Sequence, residues 1–395
     1  MRQSPSAAFP AFLVVVAAVA APAGAQDFSI LCWGDNWWGE CAVPSPNQYF
    51  VDCAAGAIHS IGLKSSGMVL CWGSNSAGQC TVPAPNQDFA AVFAGAAFSI
   101  GLKDDSTLIC WGNNDLGQCE VPLPNADFIA ASGGVDHCIG LKSNGSVVCW
   151  GDDLHGQCTV PPPNQDFVAI AAGSFHSMGL KSDGTVVCWG LNTDGQCDVP
   201  DSGPYIAISG GTGHSLALRI DGCIDAWGLD NWGQCDVPEP NEDFVAVSAG
   251  LFFSLGLKAD SSVVCWGSNE YGQCTMPWPN QGFVGIAAGG YHSLGLHVYQ
   301  AGVGDGTPGM PSTPVLRVLQ NPAGGTASLV LVSPSEASGE VDLLDLTGRC
   351  VGAALIPGGE SHQVEMDVSG IPAGVYLARW NQGTCTGATR LVVLR

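Results

Sequence analysis

The fold is decided by a ten-residue phrase, Cys188-Trp189-Gly190-Leu191-Asn192-Thr193-Asp194-Gly195-Gln196-Cys197, that returns along the chain. Versions of it span residues 32–41, 71–80, 110–119, 149–158 and 265–274, and an altered one lies around Trp227. The tryptophans stand at positions 33, 72, 111, 150, 189, 227 and 266, so the period is 39 residues with one interval of 38. Self-similarity at such a period indicates a repeat architecture.

Each repeat is interpreted as four short β-strands. In the unit that begins at Phe167, residues 167–172, 176–180 and 185–189 are apolar or β-branched runs typical of strands. Ser182-Asp183-Gly184 supplies the positive φ that a tight hairpin needs. Residues 197–200 predict a short fourth strand at the edge, where proline is tolerated. No segment has sustained helical periodicity, so we predict an all-β protein.

The phase of the repeat predicts how the array closes. The chain enters the array on a third strand, residues 30–33, and leaves it on a first and a second strand, residues 283–288 and 292–296. Pairing of the N-terminal with the C-terminal strands would close a ring and remove two exposed edges. A linear solenoid would need capping units, and none is visible. We therefore predict a seven-bladed β-propeller over residues 26–298.

The repeat resembles that of the regulator of chromosome condensation family. The resemblance rests on His176-Ser177, Gly179-Leu180-Lys181, Asp183-Gly184 and Cys188-Trp189-Gly190 and their counterparts along the array. It implies a seven-bladed propeller closed between its two ends. The chain departs from the family at Cys197, where the family has leucine, and in the cysteine that precedes six of the seven repeat tryptophans. The nuclear member promotes nucleotide exchange on a small GTPase, but none of its functional residues transfers to this chain.

The N-terminus and the composition predict an exported protein. Residues 1–25 read as a signal peptide, with Arg2, an apolar run at 11–21 and the cleavage site Ala23-Gly24-Ala25. With 12 Lys+Arg against 35 Asp+Glu, the net charge is −23, which disfavours nucleic acid and anionic membranes as partners. No later segment is apolar enough for a transmembrane helix. In an exported chain, the 18 cysteines indicate disulfides.

The C-terminal part lacks the repeat. Residues 299–313 form a Gly/Pro-rich linker. Residues 314–395 contain alternating strand-like runs typical of a small β-sandwich, at 315–319, 327–332, 340–345, 363–367, 374–380 and 389–394. The phrases at residues 344–349, 371–376 and 391–395 resemble the immunoglobulin-like C-terminal sorting domains of the bacterial type IX secretion system. This implies export through the periplasm to the outer cell surface or the medium, with the secretion machinery as a partner.

The cysteine spacing predicts local disulfides. Metal binding is disfavoured because the Cys-x2-Cys spacing is absent. In the fifth blade Ala226 replaces the first cysteine, which favours Cys223 as the partner of Cys235. The pairing of Cys53 stays open, and Cys138 is placed to face Cys149 across a hairpin and compete with Cys158. The predicted bridges are Cys32–Cys41, Cys71–Cys80, Cys110–Cys119, Cys149–Cys158, Cys188–Cys197, Cys223–Cys235, Cys265–Cys274 and Cys350–Cys385.

Catalysis is disfavoured. Histidines recur at one position of the second strand, and a repeated position belongs to the scaffold rather than to one asymmetric active site. Asp152-Asp153 is a weak acid/base candidate because adjacent residues more often point apart. No nucleophile elbow, zinc motif or phosphate-binding loop occurs. We expect no catalytic residues, no metal and no cofactor. The recurring histidines are His59, His137, His176, His214 and His292.

The variable residues predict a binding surface. In a meander, the turn between the first two strands and the turn after the third strand lie on one face. On that face, blades two and three are polar, and blades five to seven are aromatic, which favours recognition. We interpret the chain as a non-catalytic binder of protein or glycan. The alternatives are a polysaccharide-acting enzyme and a structural envelope or adhesin component. The predicted binding residues are Trp37, Trp38, Trp232, Leu251, Phe252, Tyr271 and Tyr291; the polar set is Asn114, Asp115, Asp136, Asp152, Asp153 and His155.

Overall fold

The computed structural model of the chain describes residues 28–298 continuously and seven strands between residues 315 and 393. All regular structure in these residues is β, as predicted. The predicted signal peptide and linker lie outside the described residues.

Residues 28–298 form seven antiparallel blades of three strands each. The first strands are β2 (Phe50–Ala55), β5 (Phe89–Ala94), β8 (Phe128–Gly133), β11 (Phe167–Ala172), β14 (Tyr205–Gly210), β17 (Phe244–Ala249) and β20 (Phe283–Ala288). The second strands are β3 (His59–Lys64), β6 (Phe98–Lys103), β9 (His137–Lys142), β12 (His176–Lys181), β15 (His214–Arg219), β18 (Phe253–Lys258) and β21 (His292–Val298). The third strands are β4 (Val69–Gly73), β7 (Leu108–Gly112), β10 (Val147–Gly151), β13 (Val186–Gly190), β16 (Ile224–Gly228), β19 (Val263–Gly267) and β1 (Phe28–Gly34). Blade 1 is β2–β4, the next blades follow in chain order, and blade 7 consists of β20, β21 and β1.

The ring closes through blade 7. Strand β1 pairs antiparallel with β21 over its whole length, from Phe28 opposite Val298 to Gly34 opposite His292. The first strands of neighbouring blades contact one another around the ring, including β20 with β2. Closure between the two ends of the array is therefore confirmed.

The predicted fourth strand is wrong. Residues 197–200 and their counterparts are not strands in the described chain. In six blades an asparagine side chain takes the place of an edge strand. Asn86, for example, accepts a hydrogen bond from the Val69 backbone N–H and donates one to the Val69 carbonyl, both at 2.8 Å. The side-chain amide thus satisfies the backbone N–H and carbonyl of one residue in the third strand. A fourth strand is not needed to pair with that residue.

The blades adhere through a repeated polar network within an apolar interface. Between blades 1 and 2, the backbone carbonyl of Gln79 accepts hydrogen bonds from the Trp111 indole at 2.9 Å and the Ser99 hydroxyl at 2.8 Å. His59 Nε2 lies 3.0 Å from Ser99 Oγ. Since the serine proton goes to Gln79, Nε2 must be the protonated donor. The same contact joins blade 7 to blade 1, where His292 Nε2 lies 2.9 Å from Ser60 Oγ.

The histidine ring is also packed against backbone. A Cβ atom placed on Gly56 would lie 2.2 Å from the ring of His59. This close approach explains why glycine precedes each buried ring. The recurring histidines are confirmed as buried scaffold residues, since all five have an exposed fraction of 0%.

The tail contains two antiparallel sheets. Their strands are β22 (Val315–Gln320), β23 (Thr326–Val332), β24 (Gly339–Leu344), β25 (Cys350–Ile356), β26 (Ser361–Asp367), β27 (Gly374–Gln382) and β28 (Cys385–Val393). The sheet orders are β22-β23-β26 and β25-β24-β27-β28. Six of these strands coincide with strand-like runs predicted from the sequence, whereas β25 was not predicted. The immunoglobulin-like assignment stays a prediction.

Candidate functional site: the loop face

The two sets of turns predicted to share one face do so in every blade. The residue that follows each third strand donates its backbone N–H to the turn between the first two strands of the same blade, as in Asp35 to the Tyr291 carbonyl at 2.9 Å and Asp152 to the Asp136 carbonyl at 2.8 Å. We call this surface the loop face. It consists of residues 56–58, 95–97, 134–136, 173–175, 211–213, 250–252 and 289–291, and residues 35–41, 74–80, 113–119, 152–158, 191–197, 229–235 and 268–274.

Backbone hydrogen bonds connect neighbouring blades on this face. Ala57 N–H donates to Ala96 O at 3.0 Å, and Ala96 N–H donates to Gly134 O at 3.0 Å. Gly290 N–H donates to Gly56 O at 3.1 Å and so crosses the closure between blades 7 and 1. The loop face therefore rests on a rigid base rather than on free loops.

The structure brings three of the predicted binding residues into one cluster. The rings of Tyr271 and Tyr291 have centroids 4.9 Å apart, and those of Phe252 and Tyr291 are 6.4 Å apart. The cluster spans blades 6 and 7. Tyr271 is 51% exposed, so one ring of the cluster stays available to a partner.

The other predicted binding residues lie on the same face but apart from that cluster. Trp37 and Trp38 are exposed in the turn after β1, and Trp232 is exposed in the turn after β16. No described ring contact joins these three to the cluster. Leu251 accepts the Thr212 backbone N–H at 3.4 Å, so its backbone belongs to the contacts between blades.

Side-chain oxygens of the same turns fix the backbone that carries the exposed rings. The Trp232 backbone N–H donates to Gln234 Oε1 at 2.9 Å, and that of Tyr271 donates to Gln273 Oε1 at 2.9 Å. The Trp38 N–H donates to Glu40 Oε2 at 2.8 Å. The rings are therefore presented from turns with fixed geometry, which reduces the entropy lost on binding.

The polar side of the loop face is acidic. Burial raises the pKa of Asp136, and the charges of Asp152 and Asp115 raise it further. Asp152 accepts a hydrogen bond from Gln157 Nε2 at 2.9 Å, whereas Asp153 accepts one from the Cys158 backbone at 2.7 Å. The two adjacent carboxylates thus point to different partners, as expected from the sequence.

Six of these turns contain a buried glutamine, and Glu40 takes its place in the turn after β1. Gln118 Nε2 donates to Asp136 Oδ1 of the next blade at 2.9 Å. Gly213 occupies the position equivalent to Asp136 between blades 4 and 5. The Nε2 atoms of Gln196, Gln79 and Gln234, three residues with an exposed fraction of 0%, have no hydrogen-bond partner among the described residues. The amides of Gln118, Gln157 and Gln273 donate to the first residue of their own turn, which is Asn113, Asp152 or Ser268. Leucine stands at that position in the turns of Gln196 and Gln234 and offers no side-chain acceptor.

The structure places the cysteines of the repeat side by side. Bonds join Cys32 to Cys41 and Cys265 to Cys274. The sulfur atoms of Cys110 and Cys119 lie 2.8 Å apart, as do those of Cys188 and Cys197. Oxidation of the remaining close pairs stays a prediction.

Two other predicted bridges stay predictions, and the strand geometry disfavours both. Ala226 lies opposite Leu216 and Cys223 precedes β16, and both Cys223 and Cys235 are separate thiols. Three residues of extended strand span about 10 Å, which exceeds the reach of a disulfide. In the tail sheet, Cys350 and Cys385 begin strands β25 and β28, which β24 and β27 separate. At about 4.8 Å per strand, that separation is also too large.

Cys138 does not face Cys149. The register pairs Cys149 with Ile139 and Cys138 with Trp150, so the two cysteines project from opposite sides of the blade. Cys138 Sγ contacts the Gln118 carbonyl at 3.2 Å, the place that serine occupies in the other blades. It therefore lies near Cys110 of blade 2. Cys53 is a thiol within β2.

Several exposed apolar residues were missed in the sequence. Leu116 and Leu154 lie on the loop face of blades 2 and 3, in the turns that carry Tyr271 and Trp232 elsewhere. Leu123 and Trp278 are each 90% exposed between two prolines at the rim. The residue type at these positions varies between repeats. Such variation does not show from the sequence whether a side chain is exposed or packed.

The described part of the chain contains no group of three or more His, Cys, Asp or Glu side chains arranged to hold a metal. No helix of the described residues is long and apolar enough to cross a membrane.

Comparison with protein families matches both parts of the chain. Residues 50–79, 89–118, 128–157, 167–196 and 244–273 match the regulator of chromosome condensation (RCC1) repeat. Residues 320–394 match the secretion system C-terminal sorting domain. The chain therefore carries RCC1 repeats and a type IX sorting domain, and it is exported to the cell surface or the extracellular space.

Solved structures share the fold. The chain is similar to Prp20p from Saccharomyces cerevisiae, with 17% identity, a TM-score of 0.60 and coverage of 73% of this chain and 94% of that one. It is also similar to the ectodomain of the receptor kinase ACR4 from Arabidopsis thaliana, with 29% identity, a TM-score of 0.52 and coverage of 63% and 93%. The ectodomain of the receptor kinase CR4 from Physcomitrella patens is similar with 25% identity and a TM-score of 0.52, and the match covers 64% of this chain and 72% of that one. No curated protein matches the chain in a sequence comparison.

Proposed function

We propose that the chain is an exported binding protein of the cell surface that holds a protein partner on its loop face and has no catalytic activity of its own. The observation that carries this proposal is the aromatic side of that face, where Phe252, Tyr271 and Tyr291 pack together and Trp37 and Trp232 stand exposed in the equivalent turns of blades 7 and 5.

Exposed aromatic rings on a rigid base are typical anchors of protein interfaces. Such residues provide a large contact area and lose little conformational entropy on binding. A standard interface buries about 800 Å² on each partner, and three neighbouring blades of a propeller offer a surface of that order. The receptor-kinase ectodomains, which have similar propellers, are likewise extracellular.

The test is capture of partners from the surface fraction of the producing cells by the full-length secreted chain. We expect Trp232→Ala and Tyr271→Ala each to weaken retention of the partner at least tenfold, because truncation of an anchor costs about 2 kcal/mol or more. Met68→Ala is the matched control, since Met68 is an exposed apolar residue on the opposite face.

Thermal unfolding of each variant checks that the fold is intact. Equal retention by the parent and both aromatic variants would contradict the proposal. Retention of a polysaccharide instead of a protein, lost in the same variants, would identify a glycan binder.

A further inference from the structure

A third sulfur atom lies beside one cysteine pair of the repeat, at the contact between blades 2 and 3. The sulfur atoms of the pair, Cys110 and Cys119, are 2.8 Å apart. Cys110 Sγ lies 3.6 Å and Cys138 Sγ lies 3.2 Å from the same atom, the Gln118 carbonyl oxygen. Burial raises the pKa of the Cys138 thiol, and its contact with the Cys110 side chain lowers it. We call Cys110, Cys119 and Cys138 the sulfur triad.

Serine occupies the position of Cys138 in the other six blades. At the contact between blades 2 and 3 a second residue differs as well, because Phe98 replaces the histidine that donates to this serine at five contacts. The phenylalanine does not require the cysteine. In blade 6, Phe253 makes the same replacement, while blade 7 keeps Ser293, whose hydroxyl donates to the Gln273 carbonyl at 2.9 Å. The equivalent serines are Ser60, Ser99, Ser177, Ser215, Ser254 and Ser293.

The sulfur atoms of the triad differ in their access to solvent. Cys138 has an exposed fraction of 0%, so its thiol meets only its neighbours in the blade contact. Cys119 is half-buried at the end of the loop-face turn of residues 113–119, and the next residue, Glu120, is exposed. Cys110 lies between the two. A reagent in solution therefore reaches Cys119 before it reaches Cys138.

We propose that the sulfur triad is an exchangeable disulfide site that presents Cys119 as a reactive thiol on the loop face. The Cys138 thiolate attacks Cys110 Sγ, and the Cys110–Cys138 bond forms as the Cys110–Cys119 bond breaks. Cys119 leaves as a thiolate and takes up, through solvent, the proton that Cys138 has lost. This exchange consumes no oxidant or reductant. Its product links blades 2 and 3 covalently.

The exchange starts from the predicted Cys110–Cys119 bridge. A disulfide of the export compartment makes that bridge, because it accepts two electrons and two protons from the two thiols and is itself reduced to two thiols. The exchanged form then takes a disulfide as its ligand. The Cys119 thiolate attacks one sulfur atom of that ligand, a mixed disulfide forms, and the other half leaves as a thiol. The inference goes beyond the proposed function and does not depend on it.

The first test counts the free thiols of the full-length exported chain by alkylation in denaturant. In Cys119→Ser, Cys110 still has Cys138 as a partner, so we expect one free thiol fewer than in the parent. Cys197→Ser is the matched control. Its partner Cys188 has only Ser215 at the equivalent position, so we expect one free thiol more. The cysteines outside these two sites are common to all variants and cancel in the comparison.

The second test follows the exchange in the folded parent. The chain is incubated with iodoacetamide at mildly alkaline pH, and its peptides are mapped by mass under non-reducing conditions. We expect label on Cys119 together with a Cys110–Cys138 bridge. Cys138→Ser places the residue of the other six blades at this position and should reduce the labelling of Cys119 at least tenfold. Thermal melts check the fold of each variant, and Cys138→Ser decides the question if Cys119→Ser does not fold.

Three results would overturn the inference. The first is a gain of one free thiol in Cys119→Ser, as in Cys197→Ser. The second is equal labelling of Cys119 in the parent and in Cys138→Ser. The third is label on both Cys110 and Cys119 of the folded parent, since the pair would then never have been oxidised. None of these results bears on the binding of a partner by the aromatic side of the loop face.

Discussion

At the scale of the residue, the blade interfaces depend on neutral histidine. Burial lowers the pKa of His59, His137 and His214 to about 4 and that of His176 and His292 to about 3. Each ring donates from Nε2 to a serine whose own proton is committed to a backbone carbonyl. A second proton on Nδ1 would place a charge in an apolar interface beside backbone, and no partner is available there.

This arrangement predicts a loss of stability in acid. Histidines of the unfolded chain titrate near pH 6.5. Between that pH and about 4 the unfolded state binds more protons than the folded state, so the free energy of unfolding falls as the pH drops through this window. We expect the melting temperature to fall markedly from pH 7.5 to 4.5. Each buried histidine contributes about 2 kcal/mol to that loss.

A single substitution isolates the effect. His176→Phe should fold at pH 7.5, because Phe253 occupies the same position in blade 6 while Ser293 still donates to Gln273 O at 2.9 Å. The variant should lose about 2 kcal/mol less than the parent between the two pH values. The measurement is urea denaturation at both pH values, and equal losses in parent and variant would show that these histidines do not control acid stability.

At the scale of the element, the third strand is finished by one asparagine side chain. The paired hydrogen bonds recur for Ile30, Leu108, Val147, Ile224 and Val263, at 2.7–2.9 Å. In blade 4 the shortened repeat places Gly203 at the equivalent position, and Val186 lacks this pairing. One blade therefore does without the asparagine, but six use it to protect an exposed edge.

Removal of one such amide should have a local cost. Asn86→Ala leaves the Val69 N–H and carbonyl without their partners, and we expect it to lower the free energy of unfolding by about 1–2 kcal/mol. Gln87→Ala is the matched control, since that neighbouring side chain is exposed and contacts only Asp88. Chemical denaturation of the parent and the two variants measures the free energy of unfolding of each. Equal stability would mean that the amide contributes nothing to the blade.

The same element shows where prediction from sequence succeeded and where it ended. The first three strands and the phase of the repeat were predictable, because alternation and hairpin turns are local signals. The fourth strand was not, because Cys197-Asp198-Val199-Pro200 has strand-like composition while the pairing comes from a distant side chain. The expectation that Cys138 faces Cys149 was wrong because of the strand register, since a shift of one residue moves a side chain to the other face. The ring cluster of Phe252, Tyr271 and Tyr291 depends on contacts between blades 6 and 7 and became visible only in three dimensions.

At the scale of the whole molecule, closure through β1 holds the ring together. Deletion of residues 27–48 removes the strand that pairs with β21, together with the buried side chains of Ile30 and Trp33, and exposes the surfaces that this strand covers on blades 7 and 1. We expect this deletion to lower the melting temperature far more than deletion of the tail from Pro314. Similar melting temperatures for the two truncated chains would contradict closure as the source of stability.

Closure also makes the loop face a single rigid surface, and the central claim is that this surface binds the partner. Hydrogen–deuterium exchange of the full-length chain, alone and with the captured partner, tests that claim most directly. We predict slower exchange in peptides covering residues 229–235, 250–252, 268–274 and 289–291, with the hairpin turns at 65–68, 104–107 and 143–146 unchanged. Protection confined to those hairpin turns would contradict the account.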